Sequence, residues 1–255
     1  MLTLVIGNKN YSSWSLRPWM VLRTFGVPFD EVMLQLDTPE FQAEIARWAP
    51  NRRVPALHDD ALVVWDSLAI CEYLNERYLD NRGWPADIAA RAHARSAAAE
   101  MHSGFTALRS QMPMTRVSMG WAWGKGAHRK AWDARYVKTA GATLTRLRPL
   151  RLAAYSAWSA RATAAAEKDI ARVQQLWREL RERHGAGGEF LCGAFSIVDA
   201  MFAPVVSRFL SYGVPMDATA QAFADAIQGL DAWREWRAAG EAEVEYLEDT
   251  ERFRA

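Results

Sequence analysis

The sequence predicts a small α/β domain followed by a larger all-helical domain. Up to residue 78, β-rich runs alternate with amphipathic stretches and end in a hairpin and one more helix, a pattern typical of a mixed sheet. After the break Gly83-Trp84-Pro85 the chain is rich in alanine and shows mainly the helical period. We therefore expect two domains, residues 1–80 and 86–255.

The elements of the first domain follow from local signals. Strands are predicted at residues 2–6, 29–36, 54–57 and 61–65, and helices at 14–26, 39–48 and 67–78. Pro18 fits its helix only in the first turn, where a missing N–H is tolerated. Pro55 opens the third strand, because proline cannot donate to the interior of a ladder. Asp59-Asp60 is the predicted tip of the hairpin.

The second domain is predicted to consist of helices alone. They are expected at residues 88–112 with a mild interruption at Gly104, and at 166–184, 200–210 and 218–239. Ser196 and Asp199 have the spacing of a capping box ahead of the third of these helices. We assign this pair a role in folding and no chemistry.

Composition narrows the possible partners and location. The chain has 255 residues, half of them hydrophobic, and a net charge of +1, so no global field favours nucleic acid or a membrane. Cys71 and Cys192 are far apart, so neither a disulfide framework nor a metal site is expected. The N-terminus has no signal pattern and no run is long enough to span a bilayer, so we expect a cytoplasmic protein.

Two pairs of polar residues stand where helices begin. Ser12 and Ser13 follow a strand and precede a helix, and Asp66 and Ser67 do the same after the hairpin. Helix N-termini favour negative charge, and their free N–H groups can bind a carboxylate or favour a thiolate. The Asp66 carboxylate could in turn hold an ammonium group. The alternative for both pairs is ordinary helix capping.

Two motifs resemble the glutathione S-transferase family. VPAL beginning at Val54, with WDSLAI one hairpin later, resembles the glutathione-site half of that family's thioredoxin-like domain. SSWSLRPW, beginning at Ser12, resembles the serine motif of the zeta class, although Trp14 stands where zeta enzymes carry a cysteine. The resemblance implies a thioredoxin-like N-terminal domain and an all-α C-terminal domain, covers residues 1–112 and 166–240, and fails between them.

The resemblance also implies a site. Ser12 would be the catalytic residue, stabilising the thiolate of glutathione, and the peptide bond before Pro55 would be cis. The residues implied to bind glutathione are Ser13, Arg17, Arg53, Val54, Pro55, Asp66 and Ser67. Family analogy gives a second-substrate pocket at Met101, His102, Phe105 and Arg109, although a stripe at this spacing is also typical of a core. No carboxylate can be assigned to His102, so we do not expect it to act as a base.

Residues 115–165 fit neither the pattern nor the resemblance. They carry ten Lys or Arg residues, with Asp133 as the one acid, and no sustained period. The segment could be a mobile loop over the active site or a basic arm for an anionic partner. It could also be a stretch with no selected fold, as after a local slip in reading frame. Disorder or a loose helix is the interpretation that we favour.

Three functions are compatible with these observations. The first is a detoxification-type transferase that uses the thiol of glutathione on a small electrophile. The reaction could be conjugation of the electrophile, its isomerisation through a transient glutathione adduct, or the reduction of a peroxide. The second is a non-catalytic binding or dimerisation module. The third is an enzyme homologue impaired by an aberrant 115–165 segment. The family resemblance implies a homodimer, glutathione as co-substrate, no metal, and no nucleic-acid or membrane partner.

Overall fold

The chain folds into an α/β domain followed by a helical domain, as the sequence predicts. The computed structural model describes residues 1–114, 159, 162–245 and 247. The elements of the first domain are β1 Leu2–Gly7, α1 Ser13–Thr24, β2 Asp30–Leu34, α2 Pro39–Trp48, β3 Ala56–Asp59, β4 Leu62–Trp65 and α3 Ser67–Tyr78. Those of the second are α4 Ile88–Ser103, α5 Thr106–Gln111, α6 Ala164–His184, α7 Ile197–Tyr212, α8 Ala218–Gly229 and α9 Asp231–Ala242.

The sheet has the strand order β2-β1-β3-β4. Strand β1 runs parallel to β2 and antiparallel to β3, and β3 and β4 form the hairpin. Leu4 and Ile6 of β1 point into the core shared with α1 and α3, whereas Val5 points into a smaller core with Phe41 and Ile45 of α2. Side chains alternate along a strand, so this continuous apolar run serves helices on both faces of the sheet.

Helix α7 is the centre of the second domain. It packs against α1 of the first domain and against α4, and nearly all of its side chains are buried. A helix that is apolar all round is stable only where it is surrounded, which explains its composition. Asp199 in its first turn accepts hydrogen bonds from the backbone N–H of Ser196 at 2.8 Å and of Leu191 at 2.9 Å. The predicted capping pair is thus confirmed.

Several element boundaries differ from the prediction. Pro18 is the sixth residue of α1, so placing it in the first turn was wrong. The helix predicted at 88–112 is two helices, because Phe105 adopts a left-handed backbone (φ 54°) directly after Gly104. The helix predicted at 218–239 is also two, separated at Leu230. The hairpin turns at residues 60 and 61, one residue later than predicted, since Asp59 pairs with Leu62.

The basic segment lies largely outside the described residues. Predictions for residues 115–158, 160 and 161 therefore have no structural counterpart, whereas α6 begins at Ala164 inside the stretch expected to be irregular. Among the helices that are described, none combines the length and the apolar character needed to cross a membrane.

Candidate active site

Ser12 is buried at the start of α1, where its hydroxyl is hydrogen-bonded. It is 5% exposed and forms the N-cap of the helix, accepting from the backbone N–H of Ser15 at 3.4 Å. Its Oγ also lies 2.6 Å from Oγ of Ser15. The capping geometry of the alternative interpretation is therefore present, and it places the hydroxyl at the positive end of the helix.

Ser15 connects Ser12 to the end of strand β1. Its Oγ accepts from the backbone N–H of Gly7 at 3.2 Å, and the Ser15 side chain is fully buried. A hydroxyl supplies one proton and can accept twice. Because Ser15 accepts from Gly7, its own proton can go to Oγ of Ser12. Ser15 carries no signal of this role in the sequence, because its partners Gly7 and Ser12 lie at opposite ends of a loop.

Asp66 and Ser67 form the start of α3. Oδ1 of Asp66 accepts from the backbone N–H groups of Leu68 at 2.9 Å and Ala69 at 3.2 Å, with Asp66 in a positive-φ conformation (76°). Ser67 is 1% exposed, and its Oγ has no hydrogen-bond partner among the described residues. An orphaned buried hydroxyl at a helix start is a group that an incoming carboxylate could satisfy.

His102 has the carboxylate partner that the sequence could not assign. Its Nε2 lies 3.0 Å from Oδ2 of Asp66, so α4 of the second domain meets the helix start of the first. Nδ1 of His102 is buried without a partner among the described residues. The reason given from the sequence for excluding His102 as a base, that no carboxylate could be assigned to it, therefore does not hold. The Asp66 carboxylate is shared between the backbone of α3 and this imidazole.

Trp14 contacts two arginines at the domain boundary. The guanidinium carbon of Arg17 is 4.0 Å and that of Arg109 is 4.8 Å from the centre of its ring, and both contacts are cation–π interactions. His102 meets the same ring edge-on, with centroids 5.2 Å apart. The residue that departs from the zeta-class motif thus links α1 to α4 and α5.

Arg17 is held inside the protein rather than at a solvent-exposed loop. It is 1% exposed, and its Nε donates to the backbone carbonyl of Met201 in α7 at 3.2 Å. Its Nη1 is buried without a partner among the described residues. Burial, together with repulsion from Arg208 and Arg109, lowers the pKa of Arg17 to about 9. Arg17, Arg109 and Arg208 thus form a positive cluster, which favours any anion that can approach it.

The remaining predicted site residues differ in how far they are buried. The Val54–Pro55 peptide bond is cis, as expected, with Val54 half-buried and Pro55 buried. Ser13 is buried as the first residue of α1, whereas Arg53 is exposed. Met101 is completely buried and Phe105 nearly so, both within the main core. Of the four predicted pocket residues, only His102 and Arg109 are partly exposed.

Comparison with known families identifies the family to which the chain belongs. The N-terminal domain model of glutathione S-transferases matches residues 11–77, and the C-terminal domain model of the same family matches residues 151–239. The chain belongs to the glutathione S-transferase family. The second match begins inside the basic segment, so the expectation that the resemblance fails up to residue 165 was wrong from residue 151 onward.

Two relatives match part of the chain. It is 32% identical over 100 residues to a probable maleylacetoacetate isomerase of Caenorhabditis elegans, covering 39% of this chain and 46% of that protein. It is 35% identical over 80 residues to a glutathione S-transferase-like protein of Aspergillus terreus, covering 30% of this chain and 35% of that protein. The aligned region thus spans less than half of either relative.

Solved structures are similar over nearly the whole chain. Maleylpyruvate isomerase, described as a bacterial zeta-class glutathione S-transferase, has a TM-score of 0.63 at 21% identity, covering 95% of this chain and 100% of that one. A Burkholderia glutathione transferase homologue with bound glutathione has a TM-score of 0.60 at 20% identity, covering 95% and 99%. At these identities the similarity shows the fold.

Proposed function

We propose that the protein is a glutathione-dependent transferase in which Ser12 stabilises the glutathione thiolate for attack on a small electrophile. The observation that carries the proposal is the hydrogen-bond chain from Gly7 through Ser15 to Ser12. With Ser15 donating to Ser12, the proton of Ser12 is left free to donate to sulfur. A lone capping serine would not need a second, buried serine to orient its hydroxyl.

The role of Ser12 is to favour the charged form of the thiol. A free thiol has a pKa of roughly 8.5, so little thiolate exists at neutral pH. A hydrogen bond donated to the sulfur, at the positive end of α1, stabilises the anion and lowers that pKa. Glutathione supplies the nucleophilic sulfur, and the protein supplies the hydrogen-bond donor and the helix dipole.

The start of α3 and the strand after Val54 fit the peptide part of glutathione. The orphaned Ser67 hydroxyl and the N-terminus of α3 favour the γ-glutamyl carboxylate, and Asp66 favours its ammonium group. The backbone of Val54, ahead of the cis bond, is suited to pair with the cysteinyl unit as an added strand would. We keep Ser13 and Arg53 as predicted contacts.

The positive cluster beside Trp14 indicates an electrophile that carries an anionic group. Arg109 is partly exposed, and burial lowers its pKa from the ordinary value, so an anion that contacts it would be stabilised. One relative is named as a probable maleylacetoacetate isomerase, and one structural neighbour is a maleylpyruvate isomerase. We therefore favour zeta-like isomerisation of an unsaturated acid over conjugation, despite Trp14 at the cysteine position.

The test measures glutathione binding by calorimetry and thiolate absorbance against pH. For Ser12→Ala we expect binding to persist, the thiol pKa to rise by about one unit, and turnover to fall on the order of 100-fold, a usual cost of deleting one donor to an anion. Ser96→Ala, an exposed serine of α4, is the matched control. No binding at millimolar glutathione would instead support a non-catalytic module.

A further inference from the structure

The four residues before Ser12 form a loop, Asn8–Tyr11, that is held by the C-terminal end of the chain. The carboxylate of Glu243 accepts from the backbone N–H of Lys9 at 2.5 Å and from that of Asn10 at 3.1 Å. Both oxygens of one side chain therefore bind two successive amides. Hydrogen bonds to an ionised acceptor are shorter and stronger than neutral ones, so this contact fixes the loop firmly.

Helix α9 makes two further hydrogen bonds with the same loop. Nε1 of Trp236 donates to the backbone carbonyl of Lys9 at 2.9 Å, and the side-chain amide of Asn10 donates to the carbonyl of Gly240. A Cβ on Gly240 would lie 3.2 Å from Oδ1 of Asn10. Glycine costs about 1 kcal/mol relative to alanine in a helix, so its presence here is explained by this close approach.

The contact continues beyond Glu243. The hydroxyl of Tyr11 donates to the carbonyl of Glu245 and accepts from the N–H of Leu247, both at 3.4 Å. The family matches cover residues 11–77 and 151–239, so the contacts of Lys9 and Asn10 with residues 240–243 lie outside both of them.

We propose that Glu243 is a positioning residue for Ser12. The proposal rests on the proposed function, since positioning matters only if Ser12 acts on a thiol. The backbone N–H of Ser12 donates to the carbonyl of Asn8 at 2.8 Å, so Ser12 closes the loop that Glu243 holds. Releasing the Lys9 and Asn10 amides lets this turn move and shifts the Ser12 hydroxyl relative to the sulfur.

The Glu243 carboxylate is half-buried where it meets the loop. Loss of water around it raises its pKa above the ordinary value, while the two backbone N–H groups act in the opposite direction. A carboxylate that is desolvated in this way is held at its place by the amides it binds.

The experiment compares Glu243→Ala and Glu243→Gln with Glu241→Ala. Glu241 is an exposed carboxylate in the last turn of α9, two residues before Glu243, and it pairs with Arg237, so its replacement matches the loss of charge. Three quantities are measured for each: amide hydrogen exchange at residues 8–13, the pKa of the bound glutathione thiol, and kcat and KM for glutathione.

For Glu243→Ala we expect exchange at Lys9 and Asn10 to accelerate, the thiol pKa to rise, and kcat to fall roughly tenfold, because small displacements of a catalytic group are costly. KM should change less, since Val54, Asp66 and Ser67 lie on other elements. Glu243→Gln keeps the shape of the side chain and one acceptor, so its exchange rates, thiol pKa and kcat should lie between those of the wild type and of Glu243→Ala. If the alanine variant does not fold, the glutamine variant decides.

Other results would overturn the inference. Equal thiol pKa and kcat in the Glu243 and Glu241 variants would show that Glu243 serves packing alone. Unchanged exchange at Lys9 and Asn10 would show that it does not hold the loop. A wild-type protein with no lowered thiol pKa would refute the proposed function, and with it the catalytic consequence of Glu243, whereas hydrogen exchange would still report whether the loop is held.

Discussion

Ser15 orients the Ser12 hydroxyl in the proposed mechanism. Its Oγ accepts from the backbone N–H of Gly7 and lies 2.6 Å from Oγ of Ser12. The first bond keeps a buried backbone donor satisfied at the end of β1. The second, with Ser15 as the donor, would leave the Ser12 proton available, as the proposed mechanism requires.

Ser15→Ala should therefore have two separable effects. The N–H of Gly7 would be left buried without its acceptor, so the free energy of unfolding should fall by about 1–3 kcal/mol. The Ser12 hydroxyl would lose its side-chain partner and keep only the backbone N–H of residue 15, so the pKa of the bound thiol should rise, by less than in Ser12→Ala. Urea denaturation and thiolate absorbance measure the two. Lower stability with an unchanged thiol pKa would remove Ser15 from the proposed mechanism.

The residues of the site were predictable to different degrees. Ser12, Val54-Pro55 and Asp66-Ser67 carry local motifs, so the sequence was sufficient to single them out. The contact of His102 with Asp66, and that of Glu243 with Lys9, join residues far apart in the chain. No local pattern encodes such pairs, because each arises only when the two domains pack together.

At the scale of elements, helical periodicity predicted where helices lie but not where they break. Gly104 was expected to interrupt one helix mildly, yet the left-handed Phe105 ends it. The break at Leu230 was missed because apolar residues keep a helical spacing across it. Periodicity reports which face is buried, whereas a break depends on backbone conformations that are set by packing.

Helix α7 provides an element whose stability should depend on pH. Asp199 is completely buried in its first turn, and this burial raises its pKa to about 7, although four N–H or O–H donors act in the opposite direction. The unfolded chain releases this proton near pH 4. Between these values the folded state holds more protons, so the stabilisation from proton binding is complete below about pH 4 and is lost as pH rises toward 7.

Asp199→Asn should remove that dependence. The amide does not titrate. As the pH rises from 5 to 7, the free energy of unfolding of the wild type should therefore fall relative to that of the variant, and above pH 7 the difference should level off. Urea denaturation at several pH values measures it. Asp87→Asn, which changes an exposed N-cap carboxylate of α4, is the control. A pH-independent difference for Asp199→Asn would contradict the raised pKa.

At the scale of the whole molecule, α1 unites the site with both domains. It packs on α3 in the first domain and on α7 and α9 in the second. Arg17 anchors it through the carbonyl of Met201, and Trp14 contacts Arg109 of α5. The helix that begins at Ser12 is therefore fixed along its length, which suits a site where a hydroxyl must be held in one orientation.

A homodimer is the proposed assembly, and one edge of the sheet supports it. Leu62 is 47% and Trp65 46% exposed on β4, an edge strand, where uncovered apolar side chains favour association.

We expect Leu62→Glu with Trp65→Glu to convert a dimer into a monomer in sedimentation velocity, because two buried charges per subunit would oppose the interface. Met33→Glu changes a similarly exposed residue (44%) on the opposite edge strand, β2, and should leave the dimer intact. A dimer that survives the double substitution would place the interface elsewhere, and a monomeric wild type would refute the assembly.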